Sequence, residues 1–151
     1  MLSPTDISML AATVGSGLIA GLCFTFGAFV MKALDRLGAP HAIRAMQAIN
    51  ATILRSSAMA VWFGTAVAGV VAVMLAEERM LTSVAAASYA IGAILITGRG
   101  NVPLNDKLAH VDPDTQNAEE TWRRYRVRWG RWNAARTGML TFATAGFALA
   151  R

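Results

Sequence analysis

The chain has 151 residues, of which 55% are apolar and 15% are charged, with a formal net charge of +5. Soluble domains usually carry about a quarter charged residues, so this composition predicts an integral membrane protein. In a membrane chain a positive excess indicates cytoplasmic loops beside anionic lipid headgroups, and no nucleic acid partner is expected. The one cysteine, Cys23, excludes a disulfide framework and a thiolate metal cluster, and we interpret it as a packing residue.

Four apolar stretches predict a single all-α membrane domain over 1–151, built as a four-helix transmembrane bundle with amphipathic helical extensions on the cytoplasmic side. About twenty residues cross the hydrocarbon layer. The predicted spans lie at about 7–31, 57–76, 81–97 and 132–150. The last uncharged run is short, so its helix must begin near residue 132, which places Asn133 and Arg136 at the inner edge of the hydrocarbon.

Charge predicts the orientation of this bundle. All 14 basic residues except Arg79 and Arg151 lie in or beside the connections 32–56 and 98–131. Positively charged loops remain in the cytoplasm, so both connections are expected there and both termini outside, in a bacterial-type inner (plasma) membrane. Small residues at helical spacing, such as Gly17 and Gly21, predict close helix packing and are compatible with a homo-oligomer.

The first connection is predicted to contain an amphipathic helix. Pro40 suits the opening turn of a helix, and apolar residues recur at helical spacing from Ile43 to Leu54. Its polar residues, including Asn50, are expected at the same depth as those of the fourth span.

The second connection is predicted to begin with a helix break. Gly98 and Gly100 bracket an arginine and favour a helix end. The segment from Asn101 to Asn105 contains Pro103, which disfavours α-helix in the residue before it, so we expect extended structure. A solvent-exposed loop follows before helix resumes near residue 117.

An aromatic stripe marks the start of the last helix. Trp122, Tyr125, Trp129, Trp132 and Arg136 are separated by three, four, three and four residues, which predicts that they share one helix face. Such a stripe is typical of a headgroup anchor at the membrane interface. The alternative is an aromatic wall of a cavity that holds a flat apolar ligand.

The asparagines also allow two interpretations. Asn101 and Asn105 lie beside Gly and Pro, where such side chains often satisfy local backbone. Alternatively, they form a polar cluster with Asn133 and Arg136 at the mouth of the bundle, since polar groups at membrane depth usually serve a function.

The two histidines, His41 and His110, both fall in the connections, and neither has a second metal ligand at helical spacing. The sequence therefore predicts no metal site. A haem held by a single axial histidine remains an alternative.

These features in chain order resemble the DUF1772 family of small four-helix membrane proteins, which includes the anthrone oxygenases. The resemblance rests on Ala20-Gly21, on Met46-Gln47-x-Ile49-Asn50, on Asn101-Val-Pro-Leu-Asn105 and on Trp129-x-x-Trp132-Asn133-x-x-Arg136. It covers nearly the whole chain. It implies a membrane-embedded monooxygenase that oxidises a flat, enolisable aromatic or quinol-like substrate with molecular oxygen and no bound cofactor.

The resemblance also suggests catalytic residues. Arg136, Asn101 and Asn105 are expected to donate hydrogen bonds to the developing oxyanion. His41 is the leading candidate for the general base, with Asp106 as the second.

The expected substrate-binding residues are Trp129, Trp132, Asn133, Asn50 and Tyr125, with the two indoles as stacking walls. The expected partners are a hydrophobic aromatic small molecule and membrane lipids. Two other functions remain open at this point: a non-catalytic small-molecule-binding or accessory membrane subunit, and a haem- or quinone-linked redox subunit.

Overall fold

The computed structural model describes residues 1–77 and 79–150, and within these ranges it contains helices and no strand. The prediction of an all-α chain is therefore confirmed. The five helices are α1, Pro4–Asp35; α2, Ala39–Ile53; α3, Ser57–Leu75; α4, Arg79–Ala109; and α5, Ala118–Leu149.

Three of these helices, α1, α3 and α4, are long and apolar enough to cross a membrane, which indicates a membrane protein. They contain almost all of the first three predicted spans. Helix α5 begins at Ala118, close to the predicted start, and continues through the fourth predicted span. It is more polar than the other three, partly because Asn133 and Arg136 lie within it.

The helices bury two adjoining cores. Helix α5 packs against α1 and α4, and α3 packs against α1 and the first part of α4. The first core lies between these helices, and its largest members are Ile19, Trp62, Tyr89, Leu140 and Phe147. The second lies where α2 packs against α5 and the end of α4, and includes Ile43, Met46, Leu108, Trp122, Tyr125 and Trp129.

Small residues allow close packing at some of these contacts. A Cβ atom on Gly146 would lie 2.8 Å from the Cβ of Ala85, so α4 and α5 meet there almost backbone to backbone. A Cβ on Gly17 would lie 3.5 Å from Thr144, whereas one on Gly21 would meet nothing within 4 Å of the described chain. Of the two glycines in the predicted small-residue pattern, Gly17 lies at a helix contact and Gly21 does not.

Helix α2 has the predicted character. Gly38, with φ of 79°, has a backbone conformation that favours glycine and separates α1 from α2. Pro40 lies in the first turn, and Ile43 and Met46 are buried while Arg44 is exposed. One face of α2 therefore packs into the core and the opposite face is exposed.

The predicted break at Gly98 and Gly100 is wrong. Helix α4 continues through a π-helical segment, Ala90–Asn101, into an α-helical segment, Val102–Ala109. Val102 has φ of −58° and ψ of −51°, so the residue before Pro103 is helical and not extended. Proline is accommodated because it opens the new α-helical segment, where its missing N–H is not needed.

Gly100 is explained by packing. A Cβ atom on Gly100 would overlap the indole of Trp132, whereas one on Gly98 would meet nothing within 4 Å among the described residues. The first glycine of the pair is therefore dispensable for packing, and the second allows α5 to approach α4.

This difference gives a stability test. We expect Gly100→Ala to lower the free energy of unfolding by about 1–3 kcal/mol, since the added methyl forces the Trp132 indole to move. Gly98→Ala is the matched control in the same π-helical segment, and it should be neutral or slightly stabilising. Equilibrium unfolding in mixed SDS micelles, followed by circular dichroism, measures both. Equal losses for the two variants would contradict the packing explanation.

Candidate functional site

A cavity of about 270 Å³ lies where the two cores meet, and residues from all five helices line it. Most of the lining is apolar. The polar or ionisable side chains among the lining residues are Cys23, Asn50, Thr97, Asn105 and Arg136, together with the indoles of Trp62 and Trp129. A mostly apolar cavity with a few convergent polar groups is the usual form of a small-molecule site.

Arg136 is the central charge of this site. Its side chain is buried, with 9% of its surface exposed. The ion pairs of the described residues do not include it, so no described carboxylate neutralises its guanidinium. A buried cation without a counter-ion is costly, and such residues usually mark functional sites in membrane proteins.

Asn133 fixes the position of Arg136. Arg136 Nε and Nη2 donate hydrogen bonds of 3.1 and 3.0 Å to Asn133 Oδ1. Asn133 Nδ2 in turn donates to the backbone oxygen of Cys23, at 2.9 Å, which ties α5 to α1. Because a guanidinium carries five N–H donors, these two bonds leave donors available to a ligand.

Two indoles flank the guanidinium. Arg136 Cζ lies 5.3 Å from the centre of the Trp129 ring and 5.9 Å from that of Trp62. Cation–π attraction of this kind partly compensates for the missing carboxylate. Phe26 continues the aromatic wall, with its ring centre 5.5 Å from that of Trp129. Trp62 is held by a hydrogen bond from Nε1 to the backbone oxygen of Ala93, at 3.2 Å.

Three further polar groups around the cavity are incompletely bonded. In the described part of the chain, Asn50 Nδ2, Trp129 Nε1 and Asn101 Oδ1 are buried without a hydrogen-bond partner. Asn50 and Trp129 line the cavity, whereas Asn101 lies behind it and donates to the backbone oxygen of Trp129, at 3.2 Å. Buried unsatisfied donors cost free energy, which a polar ligand in the cavity would recover at Asn50 and Trp129.

Asn105 and Tyr125 form a linked pair at the edge of the cavity. The Tyr125 hydroxyl donates to Asn105 Oδ1 at 2.9 Å. Burial raises the pKa of the Tyr125 phenol. Tyr125 is therefore a neutral hydrogen-bond donor at neutral pH.

The structure brings together six of the predicted residues, which are Arg136, Asn133, Trp129, Tyr125, Asn105 and Asn50, and it places Asn101 directly behind them. The aromatic residues Trp122, Tyr125 and Trp129 are buried between helices. They are therefore not exposed at a membrane interface as a headgroup anchor would be.

Trp132, His41 and Asp106 lie elsewhere. Trp132 is 43% exposed and covers Gly100 outside the cavity. Around the axis of an α-helix, a residue three positions after Trp129 is rotated by about 60° to one side, and a residue four positions after it by about 40° to the other. Trp132 therefore lies on the exposed side of Trp129 and Asn133 on the buried side. His41 and Asp106 are exposed on α2 and α4. Among the described lining residues there is no carboxylate and no imidazole.

Trp62 and Phe26 are site residues that the sequence interpretation missed. Trp62 is the one tryptophan outside the last helix, and its position within an uncharged span was an available signal. Phe26 begins a π-helical turn of α1, Phe26–Val30, for which we find no signal in the sequence. Both π-helical segments border the cavity, as such segments often do at functional sites.

The bonds of Asn133 give a test of how the site is held. We expect Asn133→Leu to lower the free energy of unfolding by about 3 kcal/mol, because it removes the acceptor of a buried guanidinium. Asn101→Leu removes an equally buried amide with a single neutral hydrogen bond, and should cost about 1 kcal/mol. Unfolding in mixed SDS micelles measures both, and an equal cost would show that Asn133 does not hold the charge.

One comparison with known proteins found a match. The family model described as Anthrone oxygenase matches residues 51–146, which is more than half of the chain. The matched region includes Trp62, Asn105, Trp129 and Arg136. No curated protein and no solved structure matches the chain. The chain therefore belongs to the anthrone oxygenase (DUF1772) family.

Proposed function

We propose that the protein is a membrane-embedded oxygenase that converts a flat, enolisable aromatic or quinol-like substrate to a quinone with molecular oxygen and without a tightly bound cofactor. The observation that carries the proposal is the buried guanidinium of Arg136, which faces an apolar cavity and has no described carboxylate partner. Family membership supports the type of reaction.

The proposed setting is a four-helix transmembrane bundle of α1, α3, α4 and α5 in a bacterial-type plasma membrane. Helix α2 and the adjoining ends of α1, α4 and α5 form its cytoplasmic extension, and both termini lie outside. The pairing of α5 and α3 with both α1 and α4 supports this arrangement. The distribution of basic residues supports the orientation.

Binding is proposed to favour the enolate form of the substrate. The methylene group of an anthrone is acidic because loss of its proton gives an aromatic enolate. In the cavity the enolate oxygen would accept hydrogen bonds from Arg136, and the buried charge would act in a weakly polar environment where it is most effective. Trp129 and Phe26 supply aromatic surface for the flat rings.

The oxidation balances without another reductant. The enolate carbon transfers an electron to oxygen, and the radical and superoxide combine into a peroxide anion, which is protonated. The second C–H bond then breaks as the O–O bond breaks, so that a carbonyl forms and water leaves. The carbon loses four electrons and oxygen gains four. One oxygen atom ends in the quinone and the other in water.

The first proton is assigned to water in this proposal. No described lining residue is a carboxylate or imidazole, so the contribution of the cavity is electrostatic stabilisation of the product of proton loss. His41 and Asp106 receive no role, because neither lines the cavity.

The same observation supports a second candidate function. A cavity with a cation and hydrogen-bond donors, but no described general base, also suits a protein that binds an anionic or phenolic aromatic without converting it. The two functions make different predictions for oxygen consumption.

The test uses purified protein in nanodiscs with anthrone as substrate. Oxygen uptake and quinone absorbance are recorded against empty nanodiscs, which correct for autoxidation. We expect Arg136→Gln to lower kcat/KM by about 10²–10³-fold, the usual cost of losing a donor to an oxyanion. Arg99→Gln, at an exposed residue outside the cavity, is the matched control and should leave kcat/KM unchanged.

Three outcomes separate the candidates. Uptake that depends on Arg136 supports the oxygenase. Quenching of tryptophan fluorescence by bound anthrone without oxygen uptake supports the binding protein and contradicts the oxygenase. Equal uptake in wild type and Arg136→Gln would show that the guanidinium does not stabilise the enolate.

A further inference from the structure

We infer that the cavity opens sideways into the lipid, between α3 and the π-helical segment of α4, and that the ligand enters from the bilayer as a neutral molecule. This inference rests on the proposed function for the identity of the ligand. The access route itself follows from the shape and surface of the protein.

The cavity extends from a buried charge to a lipid-type surface. Arg136 and Trp129 line its buried end. Four other lining residues are large, apolar and exposed: Leu54 at 69%, Phe63 at 58%, Ile94 at 53% and Val102 at 42%. The cavity therefore continues to the outer surface of the helices, and the side chains around its mouth are apolar.

Helix packing explains why the mouth lies there. Helix α3 packs against α4 mainly through the segment Arg79–Tyr89, whereas the π-helical segment Ala90–Asn101 packs against α5. A hydrogen bond from Tyr89 to the backbone oxygen of Trp62, at 2.8 Å, joins α3 and α4 at one side of the gap. Trp62 Nε1 also donates to the backbone oxygen of Ala93, at 3.2 Å. Beyond Ala93 the π-helical segment packs mainly against α5, and Gly98, which lines the cavity, has no side chain to fill the gap beside α3.

Helix α2 is fastened over the end of the bundle beside the cavity. Ile43 and Met46 of α2 are buried, with 0% and 1% of their surfaces exposed. Gln47 Nε2 donates to the backbone oxygens of Leu108 and Val111, at 2.8 and 3.0 Å, which fastens α2 to the end of α4. With α2 held in this way, the sideways route is the open one.

The depth of the mouth fits a membrane ligand. Phe63 follows the start of α3 at Ser57 by six residues, which is about 9 Å along the helix. An apolar mouth at this depth admits a neutral aromatic that partitions into the bilayer. A permanently charged, water-soluble analogue would have to leave water to reach this mouth, so its entry should be slow.

The test measures ligand binding and does not depend on turnover. Wild-type protein in nanodiscs is mixed with anthraquinone, and with anthraquinone-2-sulfonate, while tryptophan fluorescence is followed by stopped flow. Trp62 and Trp129 line the cavity and report its occupation. We expect neutral anthraquinone to associate at least tenfold faster than the sulfonate, because the charged group would have to cross the apolar mouth before it reaches Arg136.

Gly98→Leu is expected to slow the association of anthraquinone at least tenfold, because its side chain fills the gap. Gly138→Leu is the matched control, since a Cβ atom at either glycine would meet nothing within 4 Å. It should bind at the wild-type rate. Phe63→Ala removes an exposed side chain from the mouth and should speed association, which keeps the test informative if Gly98→Leu misfolds.

An unchanged association rate in Gly98→Leu and Phe63→Ala, equally fast association of the sulfonate, or no quenching in wild type would each overturn the lateral route. Binding with the expected rates but without anthrone oxidation would support the route and contradict the proposed oxygenase. The two proposals can therefore fail separately.

Discussion

The buried charge of Arg136 is the constraint on which the rest of the site depends. A guanidinium inside an apolar helix bundle must be solvated by the protein, and no described carboxylate does this. The amide oxygen of Asn133 and the faces of two indoles solvate the guanidinium instead. These groups offset part of the free energy lost on burial of the guanidinium, but they are neutral and leave its positive charge available to a ligand. The free energy recovered when an anionic oxygen binds is therefore larger than it would be at a charge already neutralised by an ion pair.

The helix geometry follows from this arrangement. Asn133 can hold Arg136 only if α5 lies close to α1, and its bond to the backbone oxygen of Cys23 fixes that approach. On the other side, α4 changes to a π-helical geometry beside the cavity, and α3 packs mainly against the preceding segment of α4. The result combines a rigid, polar inner wall on α5 with a loosely covered apolar mouth. Such a division suits a ligand that arrives neutral and ionises only after it binds.

Much of this could be predicted from the sequence, because the signals are local. The length of the uncharged runs predicts the three apolar helices. Pro40 and the helical spacing of the apolar residues after it predict α2. The short final run led to Arg136 and Asn133, since a helix of sufficient length had to include them. The predictions that failed depended on how neighbouring helices meet. Gly100 has the pattern of a helix end, and only the position of Trp132 explains it. The spacing places Trp132 on the same helix face as Trp129, because steps of three and four residues are both compatible with one face. The structure buries Asn133, four residues after Trp129, and leaves Trp132 partly exposed.

The most direct test of the account is the ionisation of a bound phenol. A hydroxyanthraquinone changes colour when it loses its proton, so its pKa in the cavity can be read by absorbance during a pH titration in nanodiscs. An unpaired guanidinium within contact distance should lower the pKa of the bound phenol by about 1–3 units relative to the same compound in empty nanodiscs. Arg136→Gln should abolish this decrease. A pKa that is unchanged or raised in the wild-type protein would contradict the claim that Arg136 serves the cavity as a free charge.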